Sequence, residues 1–335
     1  MSLVEIVRNS HLFADLNEEE LAEISLFLRP FNKSDGELFF TQGEEGDDIF
    51  IISQGIAELF VRISFDQESK IAEFNQREHF GELSIFNGSK RTATAKAKGL
   101  TSGVIVSGKV FGLMKLVRKS GYVSVLKRLL VGATNSLRGM TNLLTNVSDA
   151  PLQTIKILPN ETWEESGSNY HSGELPEVSV ENLCRLHLFN DFNHVMIADI
   201  LRYMRVIKLK RRQMLFSQQS RGLSCYVVLS GALQIVLSDF KKPELATHTK
   251  VALLAPGRPV GHLSFFDDSL RSAAAIAAED TTLLELSREK FDQLISDGSE
   301  IGFLFMFALL DDLVDAMRNT NKRFQFAISQ QERVL

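Results

Sequence analysis

Two stretches of the chain keep an apolar residue at every third or fourth position for long enough to predict extended amphipathic helices. Tyr122, Val125, Leu126, Leu129, Leu130, Ala133, Leu137 and Met140 set the rhythm in the first, and Phe303, Met306, Phe307, Leu310, Leu313, Val314 and Met317 in the second. Ahead of each runs the opposite pattern. Short β-branched and aromatic segments alternate with Gly and charged residues in ELFFTQGEEGDDIFIISQGIAELFVRI at 37–63 and in QMLFSQQSRGLSCYVVLSGALQIVLSD at 213–239. Strands this short, with turn signals this frequent, predict an antiparallel barrel or jelly roll. A further helix is predicted over NEEELAEISLFL at 17–28, because the acidic first turn complements the helix dipole.

The two halves are related. His11-Leu12-Phe13-Ala14-Asp15 returns 176 positions later as His187-Leu188-Phe189-Asn190-Asp191. Gly81-Glu82-Leu83-Ser84-Ile85-Phe86 returns 180 positions later as Gly261-His262-Leu263-Ser264-Phe265-Phe266, and Arg91-Thr92-Ala93 as Arg271-Ser272-Ala273. Landmarks repeated in the same order point to duplication, and the drift in offset needs only a loop insertion. The expected architecture is α+β: two tandem antiparallel β-barrel or jelly-roll domains, each flanked by helices. The first domain is expected over 1–145 and the second over 181–335. Between them, 146–180 is rich in Pro, Ser, Asn and Gly and reads as linker. Each long apolar stripe must be covered, either by the chain's own barrel or by the matching helix of a second copy in a homodimer.

Composition narrows the function. A formal charge of −5 argues against a broad surface for nucleic-acid phosphates. Cys184 and Cys225 cannot make a disulfide framework and stand near no His cluster, so neither disulfide scaffolding nor a metal site is expected, and a cytoplasmic setting fits. The longest apolar run, GFLFMFALL, is stopped by Asp311 and Asp312, far short of a membrane span. The basic run at 202–212 alternates with apolar residues, as the solvated face of a strand does, and Trp163 falls in the linker. No Walker loop, kinase triplet, zinc signature or nucleophile–base motif appears, so no enzymatic activity is expected.

The candidate chemistry lies in HFGELSIFNGSKRTATA at 79–95. Gly81 permits close backbone approach, the turn after it offers unpaired N–H groups to an anion, and Arg91 adds a fork of donors. Glu82 repels phosphate and calls instead for a hydroxyl donor beside it. The residues thus suit a small molecule with one phosphate and a neighbouring hydroxyl; the alternative is a Glu82–Arg91 salt bridge that only pins the loop. The pattern is similar to the phosphate-binding cassette of the cyclic nucleotide-binding domain family, through Phe80-Gly81-Glu82-Leu83-Ser84-Ile85-Phe86, Arg91-Thr92-Ala93-Thr94 and the leader His11-Leu12-Phe13. The resemblance implies that Arg91 grips the exocyclic phosphate of cAMP or cGMP and that Glu82 takes the ribose 2′-hydroxyl. Backbone around Gly81, Leu83 and Ser84 completes the cradle, with Thr92 and Ala93 alongside.

The second cassette keeps Gly261, Leu263, Ser264 and Arg271, carries Ser272, and replaces the acid with His262, which puts ribose recognition in doubt; Asp267 and Asp268 weaken an anion site further. Tandem domains of this kind without a catalytic domain or helix-turn-helix resemble the regulatory part of cyclic-nucleotide-dependent kinases. The resemblance implies a sensor that passes ligand binding to a partner protein. Two other readings stay open: a protein-interaction scaffold with degenerate pockets, and a cyclic dinucleotide receptor.

Overall fold

Glu20 explains how the first helices find their places. In a computed structural model describing residues 1–62, 68–86, 90–147, 154–156, 178–238, 247–296 and 299–331, α1 (Leu3–Arg8) and α2 (Glu18–Ser25) precede the first sheet. Asn17 caps α2, and Glu20 reaches back to accept from the Asn17 N–H at 2.9 Å. The other oxygen of the same buried carboxylate accepts from the Gly121 N–H at 3.0 Å. Gly121 is in the first turn of α4 (Ser120–Val147), so one acid caps two helices. A Cβ at Gly121 would meet Glu20 Oε2 at 2.2 Å, so a side chain there would displace the carboxylate that caps both helices. Glu23 adds the Tyr122 hydroxyl at 2.5 Å and Lys119 at 2.9 Å, and both bonds hold its carboxyl below the usual range.

The chain divides into two compact units, one formed by 1–148 with 313–335 and the other by 149–312. The first holds β1 (Leu28–Lys33), β2 (Leu38–Phe40), β3 (Asp48–Arg62), β4 (Glu68–Phe74), β5 (His79–Phe80) and β6 (Thr94–Ser107), followed by α3 (Lys109–Val117) and α4. Its antiparallel sheet runs β1-β6-β3-β4, with β2 on β6 and β5 on β3. The strands β3 and β6 are long and change register where Gly55 bends the chain. Gly55 sits at φ 88°, and a Cβ there would strike Leu100 O at 2.4 Å and Thr101 Oγ1 at 2.6 Å. The core between the folded halves is aromatic: Phe31, Phe40, Phe50 and Phe80 pack with Ile52 and Ala57.

The second unit repeats the plan with broken strands. It contains β7 (Thr154–Lys156), α5 (Val180–Leu183), α6 (His194–Leu201), β8 (Met204–Leu209) and β9 (Met214–Phe216). Then follow β10 (Ser224–Ser230), β11 (Leu233–Ser238), β12 (Thr247–Leu254), β13 (Pro259–Val260), α7 (His262–Phe266), β14 (Ala274–Ala277), β15 (Thr281–Ser287) and α8 (Arg288–Ser296). Two sheets result, β13-β10-β15-β8 and β7-β12-β11-β14-β9. Gly231 and Thr281 meet as Gly55 and Thr101 do, with Thr281 Oγ1 only 2.7 Å from a Cβ built on the glycine. The duplication therefore extends to the bend that folds each sheet over. The last helix, α9 (Glu300–Gln331), begins in the second unit and enters the first at Leu313.

The α+β class and the tandem antiparallel jelly rolls agree with the sequence reading, although the sheets stay open and do not close into barrels. The helical patterns materialise as α4 and α9, while α3 and α8 carry too few periodic positions to stand out. The basic run falls on β8 and its flanks, with Arg205 and Lys208 exposed as a strand face requires. Trp163 and most of the expected linker lie outside the described residues. Among the described residues, no helix is long and apolar enough to cross a membrane and no His, Cys, Asp and Glu cluster could hold a metal.

Candidate functional site

Gly81 makes the turn on which the first site is built. It stands at φ 91°, in the left-handed region, and starts a 3-10 turn over Glu82–Ser84. The Ser84 hydroxyl closes the turn by donating to Gly81 O at 3.1 Å. Arg91 crosses beneath it, 5% exposed, with its guanidinium 4.2 Å from the Phe40 ring centre. Its Nη1 donates to Gly81 O at 2.6 Å and to Asp48 O at 3.0 Å. Backbone bonds on both sides, Arg91 N to Glu44 O at 2.8 Å and Gly43 N to Arg91 O at 2.9 Å, hold the residue in place. A Cβ at Gly46 would lie 2.8 Å from Arg91 Nη2, so that loop passes directly over the guanidinium.

Among the described residues Arg91 forms no ion pair: burial lowers its pKa, and the charges of Asp48, Glu44, Glu82 and Asp47 offset that only in part. Asp48 pairs with Arg29 at 2.9 Å, and Glu44 accepts from the Thr41 N–H and hydroxyl. The Glu82–Arg91 ion pair that could merely have pinned the loop is not formed: both side-chain hydrogen bonds of Arg91 end on backbone carbonyls, and its Nε is buried without a partner. A buried cation without a direct ion pair is costly, and an anion in contact with it would relieve that cost. Beside it opens a cavity of about 500 Å³, ample for a small molecule. Gly81, Glu82, Leu83, Ser84, Arg91, Thr92 and Ala93 all line it.

Glu82 is half-buried and lines the cavity. Burial pushes its carboxyl from 4.5 up to about 7, only partly offset by its own backbone hydrogen bond and the charge of Arg91. A hydroxyl donated by a ligand would supply the stabilisation the carboxylate lacks. The raised value also carries a stability signature. An acid that holds its proton more tightly when folded leaves stability intact below pH 4.5 and lowers it as pH rises toward 7. Glu82→Gln removes that loss. Discounted for contact with cavity water, the ligand-free variant should gain roughly 1–2 kcal/mol over the parent at pH 8 and nothing at pH 4.5. Thermal melts across that range check this, and a gap independent of pH would refute it.

Further wall residues come from helices that the sequence did not connect to the cassette. From α4 come Asn135, Ser136, Gly139 and Met140; from the far end of α9 come Met317 and Asn321. Asn321 Nδ2 donates to Thr92 O at 3.0 Å, and Gln325 Nε2 to Arg62 O at 2.9 Å. Only the apolar stripe of α9 hinted that this helix covers something, and its polar members carried no signal. A second cavity of about 660 Å³ shares Phe74, Glu82, Asn135 and Ser136 with the first and is also lined by His79, whose imidazole burial drives down to about 4.

The second cassette has the same frame in a different state. Gly261 is left-handed at φ 76°, and Arg271 is 3% exposed over the Phe216 ring at 4.2 Å. Here both terminal nitrogens are bonded by protein: Nη1 donates to Gly261 O and to Ser264 Oγ, the latter at 2.8 Å, and Nη2 to Ser224 O at 2.6 Å, while Nε is buried without a partner as in Arg91. The loop through Gly222 presses onto Ser264, whose Oγ would be 2.3 Å from a Cβ on that glycine. His262 is 7% exposed with neither ring nitrogen hydrogen-bonded, and burial, helped by Arg271, lowers its pKa to about 4. It is neutral at pH 7 and adds no charge for an anion. Leu263 is half-buried and Ser272 exposed.

Comparison with known proteins finds likeness in both halves. A curated relative, a cAMP-dependent protein kinase regulatory subunit from Dictyostelium discoideum, is 22% identical over 292 residues, covering 87% of this chain and 73% of its own. Among solved structures, the regulatory domain of Toxoplasma gondii PKA with cAMP matches at TM-score 0.32 and 16% identity, covering 88% of this chain and 92% of that one. The regulatory subunit of a cAMP-independent protein kinase A from Trypanosoma brucei matches at TM-score 0.33 and 13% identity, covering 98% and 94%. The family model for the cyclic nucleotide-binding domain matches residues 31–120 and again 206–297, together more than half of the sequence and both cassettes. The chain belongs to the cyclic nucleotide-binding domain family.

Proposed function

We propose that this protein is a non-enzymatic sensor that binds a cyclic mononucleotide, cAMP before cGMP, in its first unit and relays occupancy to a partner protein. The observation that carries the reading is Arg91: a buried guanidinium without a carboxylate partner, opening on a cavity beside Glu82. In this reading Arg91 holds the phosphate and Glu82 accepts from the ribose 2′-hydroxyl. The turn Gly81-Glu82-Leu83-Ser84 encloses the phosphate oxygens, and Thr92 and Ala93 line the side toward the base. The curated relative is a kinase regulatory subunit, which supports a protein as the recipient of the signal.

The relay is a population shift: ligand favours whichever helix arrangement it contacts best. The wall contributed by α4 gives the ligand a direct hold on a helix whose first turn is tied to α2 through Glu20 and Glu23. In this reading the second cassette, where Arg271 spends both terminal nitrogens on protein groups, serves structure and not nucleotide binding, and the scaffold reading applies to that half.

Calorimetric titration of the full chain, stripped of copurified nucleotide, tests this. One site per chain with micromolar or tighter affinity is expected. Two equivalent sites would overturn the assignment of the second cassette, and an absence of both heat and thermal shift with cAMP and cGMP would leave the scaffold reading.

A further inference from the structure

We propose that Asn321 reads the base of the nucleotide held in the first unit, and that its amide selects adenine over guanine. The inference rests on the nucleotide reading of this cavity and adds to it the residue that sets base preference. Asn321 belongs to the part of α9 that lies in the first unit, is 7% exposed, and lines the cavity with Met317. Its Nδ2 donates to Thr92 O at 3.0 Å. A carbonyl can only accept, so this bond fixes the orientation of the amide: nitrogen toward Thr92, Oδ1 away from it. One amide hydrogen is used, and among the described residues the side chain makes no other hydrogen bond. A donor and an acceptor therefore remain side by side on the wall of a pocket.

The place of this amide decides which edge of a base it meets. Thr92 directly follows Arg91, so Asn321 is anchored one residue from the phosphate grip. In a purine nucleotide with its base anti, the edge carrying N7 and the 6-substituent turns toward the phosphate side. Adenine presents an acceptor and a donor along that edge, N7 and the 6-amino group, which complement the spare N–H and Oδ1. Guanine presents two acceptors, N7 and O6, and sets O6 against Oδ1. Gln325, bonded to Arg62 O at 2.9 Å one turn further on, keeps the helix seated while the amide makes these contacts.

The test is a titration of the full-length chain with cAMP, cGMP and 7-deaza-cAMP, using the parent, Asn321→Ala and Arg91→Ala. The parent should bind cAMP about tenfold or more tightly than cGMP, and should lose about fivefold with the 7-deaza analogue. Asn321→Ala should bind all three within about threefold of one another, mainly by losing affinity for cAMP. Equal weakening of all three ligands in Asn321→Ala would reduce the residue to a seat for the helix and overturn the inference. So would a parent that does not distinguish cAMP from its 7-deaza analogue, a result that needs no variant to fold. If no nucleotide binds in an Arg91-dependent way, the functional reading fails and the base contact fails with it; Arg91-dependent binding without base preference removes the base contact alone.

Discussion

Arg91→Ala is expected to raise the dissociation constant for cAMP by at least about 100-fold while leaving the second unit folded. The guanidinium spends Nη1 on Gly81 O and Asp48 O, and both bonds orient it; Nε is buried, so what remains for a ligand is Nη2 with its two N–H donors. Two charge-assisted bonds from that nitrogen to phosphate are together worth roughly 3–6 kcal/mol, which is the basis of the expected loss. Arg91→Lys separates charge from shape. A lysine keeps the cation but has one nitrogen with three donors in place of a rigid planar fork, so it cannot hold the carbonyls from one nitrogen and the phosphate from another, and most of the affinity should go. Calorimetry on both variants checks this, with circular dichroism melts to confirm folding. Binding retained within about threefold in Arg91→Ala would place the nucleotide elsewhere.

The cassette was legible because its parts are close in sequence. Gly81, Glu82 and Arg91 are within ten positions, and the left-handed turn, the donor fork and the acid each follow from residue type. The state of those groups was not legible. Whether Arg91 pairs with Glu82 depends on where Asp48 and Arg29 place their charges, and the 2.9 Å bond between them is a matter of packing. The distal wall was hidden for a different reason. Met317 and Asn321 come from a helix more than 220 positions after the cassette, and helical periodicity reveals that a face is covered without revealing by what. The same limit applied to His262: its identity was plain, but the burial that, with Arg271, lowers its pKa to about 4 was not.

Arg271→Ala should produce the opposite phenotype, loss of stability with little change in cAMP affinity at the first unit. Arg271 is almost fully enclosed and donates to two backbone carbonyls and the Ser264 hydroxyl, while its face covers Phe216. Truncation strands those acceptors and opens a space beside the ring, at a combined cost of roughly 3–5 kcal/mol to the second unit. Hydrogen exchange should show the loss in β9, β10 and α7, and the affinity for cAMP should stay within about threefold of the parent. A melt identical to the parent's, together with the disappearance of a binding site, would show that the second cassette binds ligand after all. The pH dependence gives a second readout. His262 titrates near 4 when folded against 6.5 when free, so the unfolded chain takes up its proton first and the second unit loses stability as pH falls from 6.5 toward 4. Burial is the larger cause of that depression and Arg271 the smaller, so Arg271→Ala should lessen the acid sensitivity without abolishing it. The two arginines thus separate at Nη2, which Arg271 spends on Ser224 O and which Arg91 keeps for the anion proposed here.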